Sequence, residues 1–188
     1  MPHRPFRLAL GAALALAAGR AGAQVAPVNP FSFGVSAGAA IPTGDGSEGI
    51  KTGFSVDGIV GLRLPASPVS FRGEVGYTRF GIKDVDDVNF RVISGVANAV
   101  YTFSAGPTAV VRPYVIAGVG LYNGKLTFGG DDSGDFDDNS ETKVGFNGGL
   151  GLEIPLSGIT GFGEIRYTSV STEGSRTSWV PIRFGIRF

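Results

Sequence analysis

Val180-Pro181-Ile182-Arg183-Phe184-Gly185-Ile186-Arg187-Phe188 closes the sequence. Its alternation places Val180, Ile182, Phe184, Ile186 and Phe188 on one face of a strand, because successive side chains of extended backbone point to opposite sides. Period two sustained to the last residue leaves no tail. The segment is therefore expected to be paired along its whole length, as in a sheet that closes on its own first strand. An amphipathic strand of a soluble antiparallel sheet would alternate in the same way, so the rest of the chain has to separate the two.

The opposite end narrows the choice. His3, Arg4 and Arg7 precede an apolar run from Leu8 to Ala18 made of Leu, Ala and Gly, and Ala21-Gly22-Ala23 then supplies a small-x-small cleavage site before Gln24. The run is shorter than the roughly 20 residues that a membrane-spanning helix needs. Residues 1–23 are predicted to be a cleaved signal peptide, and residues 24–188 a single domain. An exported protein of a two-membrane bacterium, or a secreted one, is expected.

The whole chain has 16 Lys and Arg against 16 Asp and Glu. Losing Arg4, Arg7 and Arg20 with the leader leaves 13 bases against 16 acids, a balance unsuited to holding a polyanion, so no nucleic acid partner is expected. The absence of cysteine excludes disulfides, thiolate metal sites and a cysteine nucleophile. The mean hydropathy is positive, unusual for a secreted soluble protein without disulfides. Glycine supplies 31 of 188 residues, about twice ordinary usage, and is spread through the apolar segments instead of forming a linker.

Eight alternating segments follow residue 24, separated by turn chemistry. Phe31 to Ile41 sets Phe31, Phe33, Val35, Ala37, Ala39 and Ile41 against small residues. Lys51 to Leu64 sets Phe54, Val56, Val60 and Leu62 against Ser55, Asp57 and Arg63. Val69 to Phe80 opposes Val69, Phe71, Val75 and Tyr77 to Arg72, Glu74 and Thr78. Arg91 to Phe103 alternates less cleanly, since Val96 and Val100 fall on the polar face with Ser94 and Asn98. Val111 to Asn123 opposes Val115, Val119 and Leu121 to Arg112, Tyr114 and two glycines. Lys143 to Ile154 opposes Val144, Phe146, Leu150 and Leu152 to Asn147 and Glu153. Thr160 to Thr168 opposes Ile165 and Tyr167 to Glu164 and Arg166, and the closing segment is the eighth. These lengths suit tilted membrane strands better than the strands of about 5–6 residues common in soluble sheets.

The connections after the second, fourth and sixth segments are short, whereas 124–142 is long and rich in Asp and Gly. Short turns on one side and longer loops on the other are the pattern of an up-and-down transmembrane β-barrel, with both termini on the periplasmic side. Which face meets lipid is decided by the polar one. It carries mainly Gly, Ser and Asn around isolated charges, and so suits a crowded lumen better than a solvated surface. The aromatics of the apolar face gather near strand ends, at one level Phe31, Phe33, Phe71, Tyr101, Phe103 and Phe188, at the other Phe54, Tyr77, Phe146 and Tyr167, as membrane girdles require.

Arg112-Pro113-Tyr114-Val115 running into Gly118-Val119-Gly120 resembles the fifth strand of the small eight-stranded outer-membrane barrels, the family of the OmpA membrane domain and OmpX-like proteins. The segment ending in Phe188 resembles that family's closing strand. The resemblance implies an all-β, eight-stranded antiparallel barrel in the outer membrane. It also implies that Val180, Ile182, Phe184, Ile186 and Phe188 serve as the signal read by the outer-membrane assembly machinery, and that the monomeric barrel sits among outer-membrane lipids and lipopolysaccharide-type glycolipid. Because the sequence ends with the barrel, no peptidoglycan-binding domain is expected.

Little in the sequence points to catalysis. The enzymes known among small outer-membrane barrels use histidine for general-base work, and the only histidine, His3, lies in the leader. No enzyme activity, cofactor or metal site is expected. The inward charges Asp57, Arg63, Arg72, Glu74, Arg112, Glu153, Glu164, Arg166 and Arg183 are candidates for a lumen ion-pair network. They could line a gated solute path or plug the barrel; the plug is favoured, since eight strands enclose a space that side chains can fill and unpaired buried charge costs several kcal/mol per group. The acidic stretch 129–141 could hold divalent cations, but its spacing is not that of an EF-hand, and a solvated loop is expected. Trp179 falls by parity on the inner face near the outer rim, where packing is its expected role. The reading as a whole is a structural or surface-interaction protein acting through its loops, with an OmpW-like carrier of small apolar molecules as the alternative.

Overall fold

The computed structural model describes residues 29–44, 47–83, 88–103, 106, 109–128, 141–172 and 175–188. Within them lie β1 (Phe31–Thr43), β2 (Gly53–Arg63), β3 (Val69–Gly81), β4 (Val88–Thr102), β5 (Arg112–Phe128), β6 (Glu141–Pro155), β7 (Thr160–Thr172) and β8 (Ser175–Arg187). Each pairs with its neighbours in sequence, and β8 returns to β1, so the described strands form one closed antiparallel barrel.

Closure runs from Thr43 opposite Ser178 down to Gly34 opposite Arg187. It is extended by Phe33 and Phe188, which exchange two backbone hydrogen bonds of 2.9 Å each. The terminal residue is therefore in the ladder, and the seam carries no unpaired strand edge of the kind that recruits another chain.

Burial is inverted relative to a soluble sheet. Val75 is 68% exposed and Phe184 69%, while Arg72 is 2% exposed and Arg166 3%. Apolar side chains thus face outward and charges face the lumen, the arrangement that lipid outside and a packed polar interior select. Phe33, Phe71, Tyr101 and Phe188 stand exposed toward the end that holds the short connections, and Phe54, Phe146 and Tyr167 toward the other. Tyr101 and Phe103 meet edge-on at 5.1 Å between centroids, and Phe54 and Tyr77 lie 6.1 Å apart.

The barrel has a turn end and a loop end. At the turn end Ser67 closes the Pro-rich connection, its N–H donating to the Leu64 carbonyl and its hydroxyl accepting the Val69 N–H. There too Gly158, at φ 83°, lets Leu156 and Ile159 pair across a two-residue turn, a conformation that an L side chain resists. Both ends of the described chain lie at this end, beside Leu62 and Gly34.

Seven strands are longer than the sequence predicts at the loop end, whereas β2 begins at Gly53, two residues after the expected Lys51. β5 runs on to Phe128 because Lys125 and Leu126 continue the ladder opposite Arg91 and Phe90, and β8 begins at Ser175, five residues before the expected Val180. Alternation fades where a strand leaves the membrane, because neither face need be apolar there. Ile50 and Ile82 add a single bridge that folds the first loop against the third strand.

Candidate functional site

Among the described residues the lumen gathers the buried charge, and it is built in three levels. At the centre, β3 supplies Arg72 and Glu74, β7 supplies Glu164 and Arg166, β2 supplies Asp57 and β8 supplies Arg183. Odd-numbered strands run in the same direction, and β3 and β7 stand on opposite sides of an eight-stranded ring. The order Arg-x-Glu on one and Glu-x-Arg on the other therefore sets opposite charges face to face at two successive inward positions.

The distances follow that logic. Arg72 Nη1 lies 2.9 Å from Glu164 Oε2. Arg166 grips Glu74 in a bidentate pair, Nη1 to Oε2 at 2.8 Å and Nη2 to Oε1 at 2.6 Å, and its Nη2 also lies 2.6 Å from Glu164 Oε1. Arg183 reaches Asp57 at 2.8 Å and Glu164 at 3.1 Å. Ser36 donates its hydroxyl to Asp57 and Tyr114 donates to Glu164, at 3.1 and 2.7 Å. Three acids thus meet three arginines, and the cluster is neutral by itself. Charge-assisted and partly bidentate bonds of this kind are what make a buried charge tolerable.

Aromatic rings and amides complete the packing. The Arg72 guanidinium lies between Tyr114 and Phe162, 5.4 and 5.2 Å from their centroids, a geometry in which the ring faces attract the cation. Asn147 donates to Asn98 at 3.0 Å. Tyr114 can reach Glu164 only because its cross-strand partner is Gly151. A Cβ at that position would meet the tyrosine hydroxyl at 2.5 Å and the Gly163 carbonyl at 2.7 Å.

Toward the loop end the lumen turns apolar. Ala40, Phe80, Val92, Tyr122, Val170 and Trp179 form a buried cluster, in which the Trp179 ring stands edge-on to Phe80 at 6.1 Å and to Tyr122 at 5.7 Å. Above it, Phe90, Val92, Tyr122, Val170 and Trp179 line a cavity of about 200 Å³, with Glu141 and Lys143 at its edge. Those two form an ion pair of 2.8 Å. Toward the turn end Glu153 pairs with Arg187.

The structure therefore divides the nine charges singled out in the sequence. Asp57, Arg72, Glu74, Glu164, Arg166 and Arg183 share the central cluster. Glu153 lies nearer the turn end. Arg63 and Arg112 stand at the turn-end mouth, where Arg63 is exposed, and neither enters an ion pair among the described residues. Arg187 was not among the candidates, although the parity that puts Ile186 and Phe188 outside puts Arg187 inside with Arg183. The aromatic cluster was only hinted at by Trp179 and by Val96 on the polar face of β4, whereas Val100 packs with Tyr114 and Ile116 in a separate group. The acidic stretch 129–140 lies outside the described residues, as does the leader 1–23. Among the described residues no group of His, Asp and Glu is arranged to hold a metal ion.

Known proteins fit this architecture. The chain is similar to Neisserial surface protein A, with 22% identity over 84% of this chain and 96% of that one and a TM-score of 0.65. It also resembles the N-terminal β-barrel domain of Pseudomonas aeruginosa OprF, with 18% identity, coverage of 84% and 97%, and a TM-score of 0.48. The attachment invasion locus protein Ail of Yersinia pestis gives the same figures, 18%, 84%, 97% and 0.48. Among curated proteins none matches significantly. Residues 9–188, nearly the whole sequence, match the family described as outer membrane protein beta-barrel domain. With a closed eight-stranded barrel that is apolar outside and charged within, the chain belongs to that outer-membrane β-barrel family.

Proposed function

We propose that this barrel is a structural and surface-interaction protein of the outer membrane, which presents its loops to the exterior on a wall whose lumen is closed. The observation that carries the reading is the neutral cluster of Asp57, Arg72, Glu74, Glu164, Arg166 and Arg183, tied across the ring and capped by Phe80, Tyr122 and Trp179. A conducting path would need water and mobile counter-ions where these side chains are bonded to each other.

The turn end faces the periplasm in this reading, so both termini lie there and the loops meet the outside. The apolar outer wall suits the lipid and the lipopolysaccharide-type glycolipid of that membrane, and the face shared by Val180, Ile182, Phe184, Ile186 and Phe188, of which the last three are exposed, suits recognition by the assembly machinery. Closure of β8 on β1 leaves no free edge, which supports a monomer.

In planar bilayers the purified protein should show no sustained porin-like conductance. Large, stable channels in the unmutated protein would overturn the closed-lumen reading. A second reading, a carrier for small apolar molecules, is favoured by the cavity above Trp179. Saturable quenching of Trp179 by a small apolar probe, lost on Val170→Asp, would favour it.

A further inference from the structure

The turn-end mouth carries an excess of positive charge that the neutral central cluster does not offset, and this goes beyond the closed-lumen reading. With the three central acids and their three arginines set aside, the remaining inward charges on the described strands at this end are Glu153, Arg63, Arg112 and Arg187. One acid faces three bases. The connecting segments 64–68, 103–111 and 156–159 contain no Asp or Glu, so no turn can supply a counter-charge. The α-carboxylate of Phe188 adds one negative charge and makes no ion pair with these arginines among the described residues, so the mouth keeps a net positive charge even when it is counted.

A cavity of about 320 Å³ opens at this place, with Ser32, Arg63, Ser70, Arg72 and Arg187 among its lining residues. Two of the arginines that line it carry donors that meet neither solvent nor an acceptor. Arg72 is 2% exposed, and its Nε and Nη2 have no acceptor among the described residues, nor has Nε of Arg187. A buried guanidinium N–H without an acceptor is costly, and a planar fork of such donors matches the two oxygens of a carboxylate or a phosphate. The volume is at the small end of ligand cavities. We propose that the turn-end mouth of the barrel is a binding site for a small oxyanion, a carboxylate or a phosphate, held by Arg63, Arg72 and Arg187 with the hydroxyls of Ser32 and Ser70.

The site is testable on the refolded full-length barrel in neutral detergent, by following arginine Nε–H resonances while sodium acetate or sodium phosphate is added at constant ionic strength. Saturable movement of the Arg72 and Arg187 signals is expected. Response to both anions identifies a general oxyanion site, and response to phosphate alone a phosphoryl site. Arg63→Glu, at an exposed position that the fold does not need, should weaken the apparent affinity roughly tenfold or more. Lys143→Gln at the loop end should leave it unchanged. Signals that do not saturate by about 100 mM of either anion, or an affinity that Arg63→Glu does not alter, would overturn the proposal.

Discussion

Glu164 is the most connected acid of the lumen, and replacing it with glutamine tests the central cluster most directly. It faces Arg72 at 2.9 Å, Arg166 at 2.6 Å and Arg183 at 3.1 Å, and accepts the Tyr114 hydroxyl at 2.7 Å. Glutamine keeps the shape and removes the charge, leaving two acids to answer three arginines. Glu74 still holds Arg166 and Asp57 still holds Arg183, so the stranded cation is Arg72, whose other carboxylate, on Glu74, is 3.6 Å away. Removing one partner of a buried pair costs about 3–5 kcal/mol. With a urea dependence of about 2 kcal/mol per molar, the unfolding midpoint should fall by roughly 2 M. Trp179, the only tryptophan and 5% exposed, gives a fluorescence readout in lipid vesicles. The decisive comparison is the double variant Arg72→Met with Glu164→Gln, which restores neutrality with two intact pairs. It should be more stable than Glu164→Gln alone. A midpoint lowered by less than about 0.5 M in the single variant, or a double variant less stable than the single, would refute the reasoning.

Other outcomes can be stated as directly. Deleting Phe188 removes an outward aromatic and a backbone rung shared with Phe33, and Phe188→Ser removes the aromatic alone; either change should strongly lower the heat-modifiable, folded fraction in outer membranes. Gly151→Ala places a methyl against the Tyr114 hydroxyl and should cost about 1–3 kcal/mol as an overpacked site, measured by the same urea titration; a stability within error of the parent would show that the ring has room to move. Replacing residues 129–140 with a short Gly-Ser turn should leave the barrel folded at an unchanged melting temperature, because loops that join finished strands tolerate change. Calcium-dependent stabilisation that disappears on replacement would instead make that acidic stretch a cation site.

The faces of this barrel were legible in the sequence because a membrane strand must state its two surroundings in alternate residues. Phe31, Val56, Val75 and Ile165 announce lipid, and Ser36, Asp57, Arg72 and Glu164 announce the interior, one position at a time. The ending at Phe188 and the inward parity of Trp179 were read in the same way. What parity does not encode is the stagger of the strands around the ring. That stagger decides whether an inward arginine lies level with a carboxylate across the lumen or stands at the mouth. Arg72 and Arg63 are alike as inward residues of adjacent strands, yet one is in the cluster and the other outside it. The complementary order of Arg72-Gly73-Glu74 and Glu164-Ile165-Arg166 was present in the sequence, but it becomes informative only once β3 and β7 are known to face each other. The loop-end extensions of β5 and β8 went unseen because strand pairing continues there after the membrane's demand for alternation has ended.

The bonds from Arg72 to Glu164 and from Glu74 to Arg166 join strands that share no backbone hydrogen bond. A ring of eight strands held only by its neighbours can flatten into an ellipse at little cost, since each hinge between strands bends slightly. Diametric ties act as spokes and remove that freedom. The far ends of β3 and β7, at Gly81 and Thr172, are then held at a fixed separation, and any partner spanning both would meet a platform whose geometry is set from within. Cutting the spokes, as in the Arg72→Met and Glu164→Gln pair, should broaden motion at the rim even where stability is largely recovered, which would appear as slow exchange in the amides at the loop ends of β3 and β7.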